Sequence, residues 1–318
     1  LEVSRIGLGG LFVSEVGGEF PTARAAIDEA LTQGITYIDT APGYRNSEEV
    51  LGRALAGEDR LFVLSTKLGG RPEPFDAKDK AHLYQSFEES LRLLGREQVD
   101  ILFIHEPDRP GQYDWFDSWD TFHGPVSDVL DDLRGQGLIR YTGIGGTTAY
   151  EMARIIEKAD YDVLLTAFNY SLLWREAEIA VLPAAKAKGM GVVIGSPLQQ
   201  GWLARQYDEV RAPERPPWLS PQRREQFLRL YGLADRLELP VADLAMRFVF
   251  SNPDVHTVLS GCRTAEEVRL NVASLEAGPL PQAVLEELAD IVAMVPFRPF
   301  EEPFGCQLGR PYRGPGRA

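Results

Sequence analysis

Residues 62–105 decide the fold: Phe62-Val63-Leu64-Ser65-Thr66 closes on Lys67, and Asp100-Ile101-Leu102-Phe103-Ile104 closes on His105. Between the two apolar runs Leu83, Phe87, Leu91 and Leu94 recur on one helical face, and Gly95 stands where a helix would stop. Strand, amphipathic helix and strand in that order make a βαβ unit, which forces the two strands parallel.

Working outward, the same alternation continues in both directions. Further short apolar runs lie at 6–9, 36–39, 141–144, 163–167, 192–194 and 257–259, which makes eight predicted strands. Helical spacing is found at 23–33, 83–94, 125–134, 149–158, 179–188, 223–237, 241–250, 265–274 and 282–294. Eight strands with intervening helices predict an α/β fold, a single-domain (β/α)8 TIM barrel, over residues 1–295. Gly7, Gly9 and Gly10 lack the G-x-G-x-x-G spacing, so a doubly wound dinucleotide domain is not expected. Two long irregular stretches, 106–124 and 198–221, each follow a strand and so belong to the strand C-terminal face, where barrel active sites are built. Residues 296–318 are rich in Pro, Gly and Arg and read as an irregular C-terminal tail.

Composition narrows the function classes. Of 318 residues, 47 are acidic and 33 basic, a formal net charge of −14, which repels phosphate backbones and anionic lipid surfaces. Neither nucleic acid nor membrane is an expected partner. The two cysteines, Cys262 and Cys306, have no metal-ligand spacing, so no metal is expected and a reducing, cytoplasmic setting fits best. Oligomeric state is not legible.

The chemistry concentrates at three consecutive strand ends. The run Ile38-Asp39-Thr40-Ala41-Pro42-Gly43-Tyr44 puts a carboxylate at the end of the second strand and a phenol five residues on; Lys67 and His105 close the third and fourth. In a closed barrel these ends converge. A phenol is a weak acid at neutral pH, and an adjacent ammonium moves its pKa toward the working range. Asp39 would orient Lys67, while His105 would hydrogen-bond a carbonyl oxygen that Tyr44 protonates. No side chain here donates a hydride, so a nicotinamide is the expected source.

The D-T-A-x-x-Y-x-x-S-E run, the S-T-K strand end and the strand-end histidine resemble the aldo-keto reductase family, and the resemblance extends from residue 6 to Asn271. It implies hydride transfer between a nicotinamide cofactor and a carbonyl or alcohol, with Asp39, Tyr44, Lys67 and His105 as the catalytic set. It also implies cofactor contacts from Gly145 and Gly146 after strand five, Asn169 after strand six, and Ser196 and Leu198 after strand seven. Gly261, Arg263, Glu267 and Asn271 resemble the segment that grips the adenosine phosphate. Three positions depart from the family's pattern: Gly145-Gly146 stands where many members have Ser-Asn, Ala167 where a Gln is usual, and Gly195 where an aromatic commonly stacks on the nicotinamide. A small residue at the last position is similar to the NAD-dependent sugar-dehydrogenase branch. Arg263 suits a 2′-phosphate and tips the expectation slightly to NADP(H) over NAD(H), against Glu266 and Glu267 beside it.

The expected substrate is a small carbonyl compound or polyol, such as an aldehyde, ketone or sugar. Trp115 and Trp119, in the aromatic-rich loop after His105, and His123 are the expected pocket residues. Two other readings stand beside the reductase: an NAD-dependent sugar (hemiacetal) dehydrogenase, and a catalytically weak nicotinamide-binding regulatory protein.

Overall fold

The computed structural model describes residues 1–217 and 219–296. Eight parallel strands close into a barrel in sequence order: β1 (Ile6–Gly9), β2 (Tyr37–Asp39), β3 (Val63–Leu68), β4 (Val99–His105), β5 (Ile139–Gly146), β6 (Val163–Ala167), β7 (Gly191–Gly195) and β8 (Thr257–Ser260). The ring is sealed where β1 meets β8, with Ile6 opposite Val258 and Leu8 opposite Ser260. This is the (β/α)8 barrel expected from the alternation of apolar runs and amphipathic segments.

Strand alternation sorts the core into two. Tyr37, Val63, Ile101, Phe103, Val163, Leu165, Val193 and Leu259 fill the inside of the barrel, and the other strand face packs against the surrounding helices. Gly143 is a fitting position: a Cβ there would lie 2.4 Å from the Phe103 ring, so the missing side chain on β5 is the space that Phe103 of β4 occupies.

The crossover helix Lys80–Leu94 shows why the deciding stretch reads as it does. Asp79 caps its start by accepting the Ala81 N–H, and Gly95 ends it at φ 62° and ψ 39°, the left-handed geometry that favours glycine.

Three local differences from the sequence expectation have physical causes. Strands β3 and β4 extend past the apolar runs, so Lys67 and His105 lie inside them, their side chains supported by a paired backbone. Ser47–Ala54 forms a helix where the apolar spacing predicts none. The helix expected at 179–188 is split at Ala180 into Glu176–Ile179 and Val181–Ala187; Pro183 cannot donate to the Ile179 carbonyl four residues back, and its ring excludes that carbonyl. Of the tail 296–318, residues 297–318 lie outside the described residues.

Candidate active site

The ends of β2, β3 and β4 bring the four expected residues together. Lys67 and Asp39 are buried, and the Lys67 ammonium donates to both Asp39 carboxylate oxygens at 2.8 and 2.7 Å and to the Thr40 carbonyl at 2.7 Å. The same nitrogen lies 4.7 Å from the centroid of the Tyr44 ring. Tyr44 meets His105 edge-on, with ring centroids 5.9 Å apart. The ion pair is therefore sealed in the barrel, while the phenol and the imidazole keep part of their surface open.

Local structure explains how Tyr44 is held. Its N–H donates to the Ala41 carbonyl, and its own carbonyl accepts from the Ser47 N–H, each at 3.0 Å. The Ser47 hydroxyl donates to the Gly10 carbonyl at 2.8 Å and accepts from Thr40 Oγ1 at 2.8 Å. The start of the helix Ser47–Ala54 is thus pinned to the β1 and β2 exits, which fixes the backbone from which the phenol projects.

Burial and charge compete at each group. Burial raises the Tyr44 phenol above its ordinary pKa, and Lys67 pulls it back only in part, with Asp39 adding to the rise. The expected lowering by Lys67 is therefore present but outweighed, because the barrel removes the phenolate's water. For Lys67 burial works against the charge, yet Asp39 and Tyr44 together prevail and the ammonium is favoured. Burial pushes Asp39 up, with Lys67 and Ser65 opposing it. For His105 burial dominates, aided by Lys67 and Arg109, and its pKa falls to about 3. The imidazole is neutral at physiological pH and suited to hydrogen bonding rather than to carrying charge.

The loop after β4 has a different role from the one its aromatics suggest. Trp115 is fully buried, donates its Nε1–H to the His105 carbonyl at 3.1 Å and packs on Phe75 and Tyr113. Trp119 joins Phe116 and Phe122 in a second cluster. His123 turns outward, its side chain 65% exposed and 3.5 Å from Asp128 on the helix Pro125–Gly135. Two of the three expected pocket residues thus hold the loop down and the third belongs to the outer surface. Tyr113, not singled out by sequence reasoning, is the loop aromatic that approaches the Gly43 turn: its hydroxyl lies 3.7 Å from where a Cβ on Gly70 would be, and the Gly43 nitrogen lies 3.6 Å from the same point. Glu106, also missed, follows His105 in the left-handed region at φ 51° and lies 3.5 Å from Arg109. An acidic residue directly after the strand-end histidine was the available signal.

The expected cofactor residues fall into two groups. Gly145 faces the barrel interior, where a Cβ would stand 3.9 Å from Lys67 Cε and 3.8 Å from Leu165. Gly146 faces outward, where a Cβ would stand 2.4 Å from Met152 Sδ and 2.5 Å from Asp108 Oδ1, so packing explains that glycine. Asn169 braces the rim, accepting from Thr166 and donating to the Thr147 carbonyl. Ser196 and Leu198 shape the β7 exit, with Ser196 at φ 54° accepting the Gln199 N–H. After β8, Phe12 lies where a Gly261 side chain would be, and the Arg263 guanidinium sits over its ring at 4.5 Å. Glu267 accepts the Arg263 N–H at 2.7 Å while Thr264 caps the helix Ala265–Glu276, and Asn271 donates to Ser260 and Cys262. Two buried polar atoms at this rim, Thr147 Oγ1 and Gln199 Oε1, have no hydrogen-bond partner among the described residues.

The model of the Aldo/keto reductase family matches residues 5–293. The chain belongs to the aldo/keto reductase family. It is therefore an oxidoreductase, as the strand-end residues implied. Pyridoxal 4-dehydrogenase of Microbacterium luteolum is 29% identical over 320 residues, covering 87% of this chain and 90% of that protein. The NADH-specific methylglyoxal reductase of Escherichia coli is 30% identical over 277 residues, covering 78% and 80%. Among solved structures, an aldo-keto reductase from Bacillus halodurans in its holo form superposes with a TM-score of 0.73 at 25% identity, covering 92% of this chain and 93% of the other. Among the described residues no helix is long and apolar enough to cross a membrane.

Proposed function

We propose that this aldo/keto reductase interconverts small aldehydes, ketones or sugars and the corresponding alcohols or oxidised products, with Tyr44 as the proton donor and acceptor. The carrying observation is the buried Lys67–Asp39 pair with its ammonium 4.7 Å from the Tyr44 ring, beside a neutral His105.

A bound nicotinamide dinucleotide supplies or accepts the hydride. The rim residues fit such a group. Thr147 Oγ1 and Gln199 Oε1 are buried polar atoms in want of a partner, which a carboxamide or ribose would satisfy, and Gly145 leaves the space beside Lys67 unfilled. The chain's own work is proton handling and charge stabilisation. In reduction Tyr44 gives its proton to the substrate oxygen; the phenolate left behind faces the Lys67 ammonium, whose charge Asp39 holds in place. The neutral His105 hydrogen-bonds the same oxygen and orients it toward Tyr44. In oxidation the phenolate takes the alcohol proton back.

The cofactor leaning changes once geometry is considered. The slight preference for NADP(H) rested on Arg263, but Glu266 and Glu267 both lie in the first turn of the following helix, and Thr264 already caps it. Glu267, which accepts the Arg263 N–H, sets a carboxylate beside that residue, to which a ribose 2′-hydroxyl can donate and from which a 2′-phosphate is repelled. The reading is therefore NAD(H) over NADP(H), in keeping with the NADH-specific methylglyoxal reductase of Escherichia coli to which the chain is similar.

The test is turnover of methylglyoxal, pyridoxal, glyceraldehyde and aldoses with each reduced or oxidised cofactor. Turnover that favours NAD(H) and falls by about a thousandfold or more in Tyr44→Phe supports the proposal. Tight cofactor binding without turnover on any substrate would support the regulatory reading instead.

A further inference from the structure

Below the Lys67–Asp39 pair the barrel interior is lined by apolar side chains, with a polar exception directly under the carboxylate. Ser65, two residues before Lys67 on β3, and Tyr37, two before Asp39 on β2, point to the same side as the catalytic residues they precede. Both are buried among Val63, Phe103 and their neighbours. The Ser65 hydroxyl donates to Asp39 Oδ1 at 2.7 Å, and the Tyr37 hydroxyl lies 2.9 Å from Ser65 Oγ.

The direction of the second bond follows from proton counting. A hydroxyl has one proton, and Ser65 commits its proton to a carboxylate that can only accept. In the Tyr37–Ser65 contact the tyrosine must therefore be the donor. Burial, then the nearby Asp39 charge, hold the Tyr37 phenol well above its ordinary pKa, so it keeps that proton. The chain reads Tyr37 O–H to Ser65 O–H to Asp39 carboxylate, and Lys67 approaches that carboxylate from the other side.

We infer that Ser65 and Tyr37 are positioning residues that tune the proton affinity of Tyr44 through Asp39 and Lys67. The inference rests on the proposed role of Tyr44 and extends it below the tetrad. By sharing the Asp39 charge from beneath, the two hydroxyls leave more of the Lys67 field for the phenol. Without them Asp39 neutralises Lys67 more completely, and its own charge weighs more on Tyr44, so the phenol holds its proton more tightly. Neither hydroxyl touches substrate.

The experiment compares wild type with Ser65→Ala, Ser65→Thr and Tyr37→Phe. For whichever substrate of the panel is turned over, the pH profile of kcat for oxidation is measured, in which Tyr44 must be deprotonated. Ser65→Ala is expected to move that profile up by about 0.5–1 pH unit, which below the apparent pKa is about a three- to tenfold lower kcat, with KM unchanged. Ser65→Thr restores the wild-type profile. Tyr37→Phe shifts it in the same direction by less, and it keeps the test open should Ser65→Ala fail to fold. The Tyr44 titration is also read without substrate, as the tyrosinate absorbance that disappears in Tyr44→Phe. If no substrate is turned over, the proposed activity fails while this titration still tests the chain. Superimposable profiles and titrations, a loss equal at every pH, or a change in KM alone would overturn the inference.

Discussion

The two halves of the barrel mouth do their work by opposite means. On the β2–β4 side, the proposed chemistry rests on side chains that are rare at strand ends: a carboxylate, an ammonium and an imidazole, fixed by hydrogen bonds of 2.7–2.8 Å within the ion pair and by an indole clamp on the His105 carbonyl. On the β5–β7 side, the same rim is built of Gly145, Gly146, Ala167 and Gly195, of which Gly145 leaves space beside Lys67 and Gly146 gives up its side-chain volume to Met152 and Asp108. One half supplies reactive groups and the other supplies room. The lesson is that a glycine at the rim of such a barrel has to be read from what its absent side chain would strike.

Substitutions can break this contrast, and the largest effect belongs to the reactive half. Lys67→Met leaves the buried Asp39 without its counter-ion; kcat is expected to fall by about a thousandfold. Unfolding free energy drops by about 3–5 kcal/mol in denaturant titrations, less whatever Asp39 regains by taking up a proton. A full-rate Lys67→Met enzyme would remove the basis for dividing the mouth in this way.

The adjacent glycines sharpen the other half. Gly146→Ala forces a Cβ to within 2.4 Å of Met152 Sδ and 2.5 Å of Asp108 Oδ1, so about 1–3 kcal/mol of stability is expected to be lost. Gly145→Ala meets nothing closer than 3.8 Å and should leave the melting temperature unchanged while raising the cofactor dissociation constant severalfold. Equal melting temperatures for the two variants would contradict the packing assigned to Gly146.

The smallest effect is a silence. With its pKa lowered to about 3, chiefly by burial, His105 should show no titration of its ring resonances between about pH 5 and 8 by NMR. The sign also fixes a stability trend: the unfolded chain binds a proton near the ordinary histidine value that the folded chain refuses until about pH 3. The His105 contribution is therefore full above the unfolded value and declines as pH falls between the two. A His105 ring that titrates near neutrality would mean that the imidazole is far less sheltered.

Legibility in the sequence followed the same division. The runs 6–9 and 163–167 coincide with β1 and β6, because a barrel strand is a short apolar run and little else competes for that pattern. Asp39, Lys67 and His105 stood out because charged and polar types ending three successive strands have few structural reasons to be there, and Tyr44 by its place in the turn after Asp39. Trp115 and Trp119 could not be assigned, since an indole that lines a pocket and one that pins a loop have the same sequence signature. The helix Ser47–Ala54 was hidden by its position inside the catalytic motif, where Ser47 and Glu48 read as site residues rather than as a helix start. The Tyr37–Ser65 chain was invisible because it depends on register, Asp39 opposite Ser65, which no single strand encodes.

The seal between β1 and β8 gives the chain a temporal order. Asp39, Tyr44, Lys67 and His105 all lie before position 106, yet Leu8 finds its Ser260 partner only after residues 106–260 have also been joined. During synthesis on the ribosome the chemical groups are thus made early and the ring that confines them last. A nascent chain stalled between β4 and β8 holds all four residues while the β1–β8 seam is still unmade.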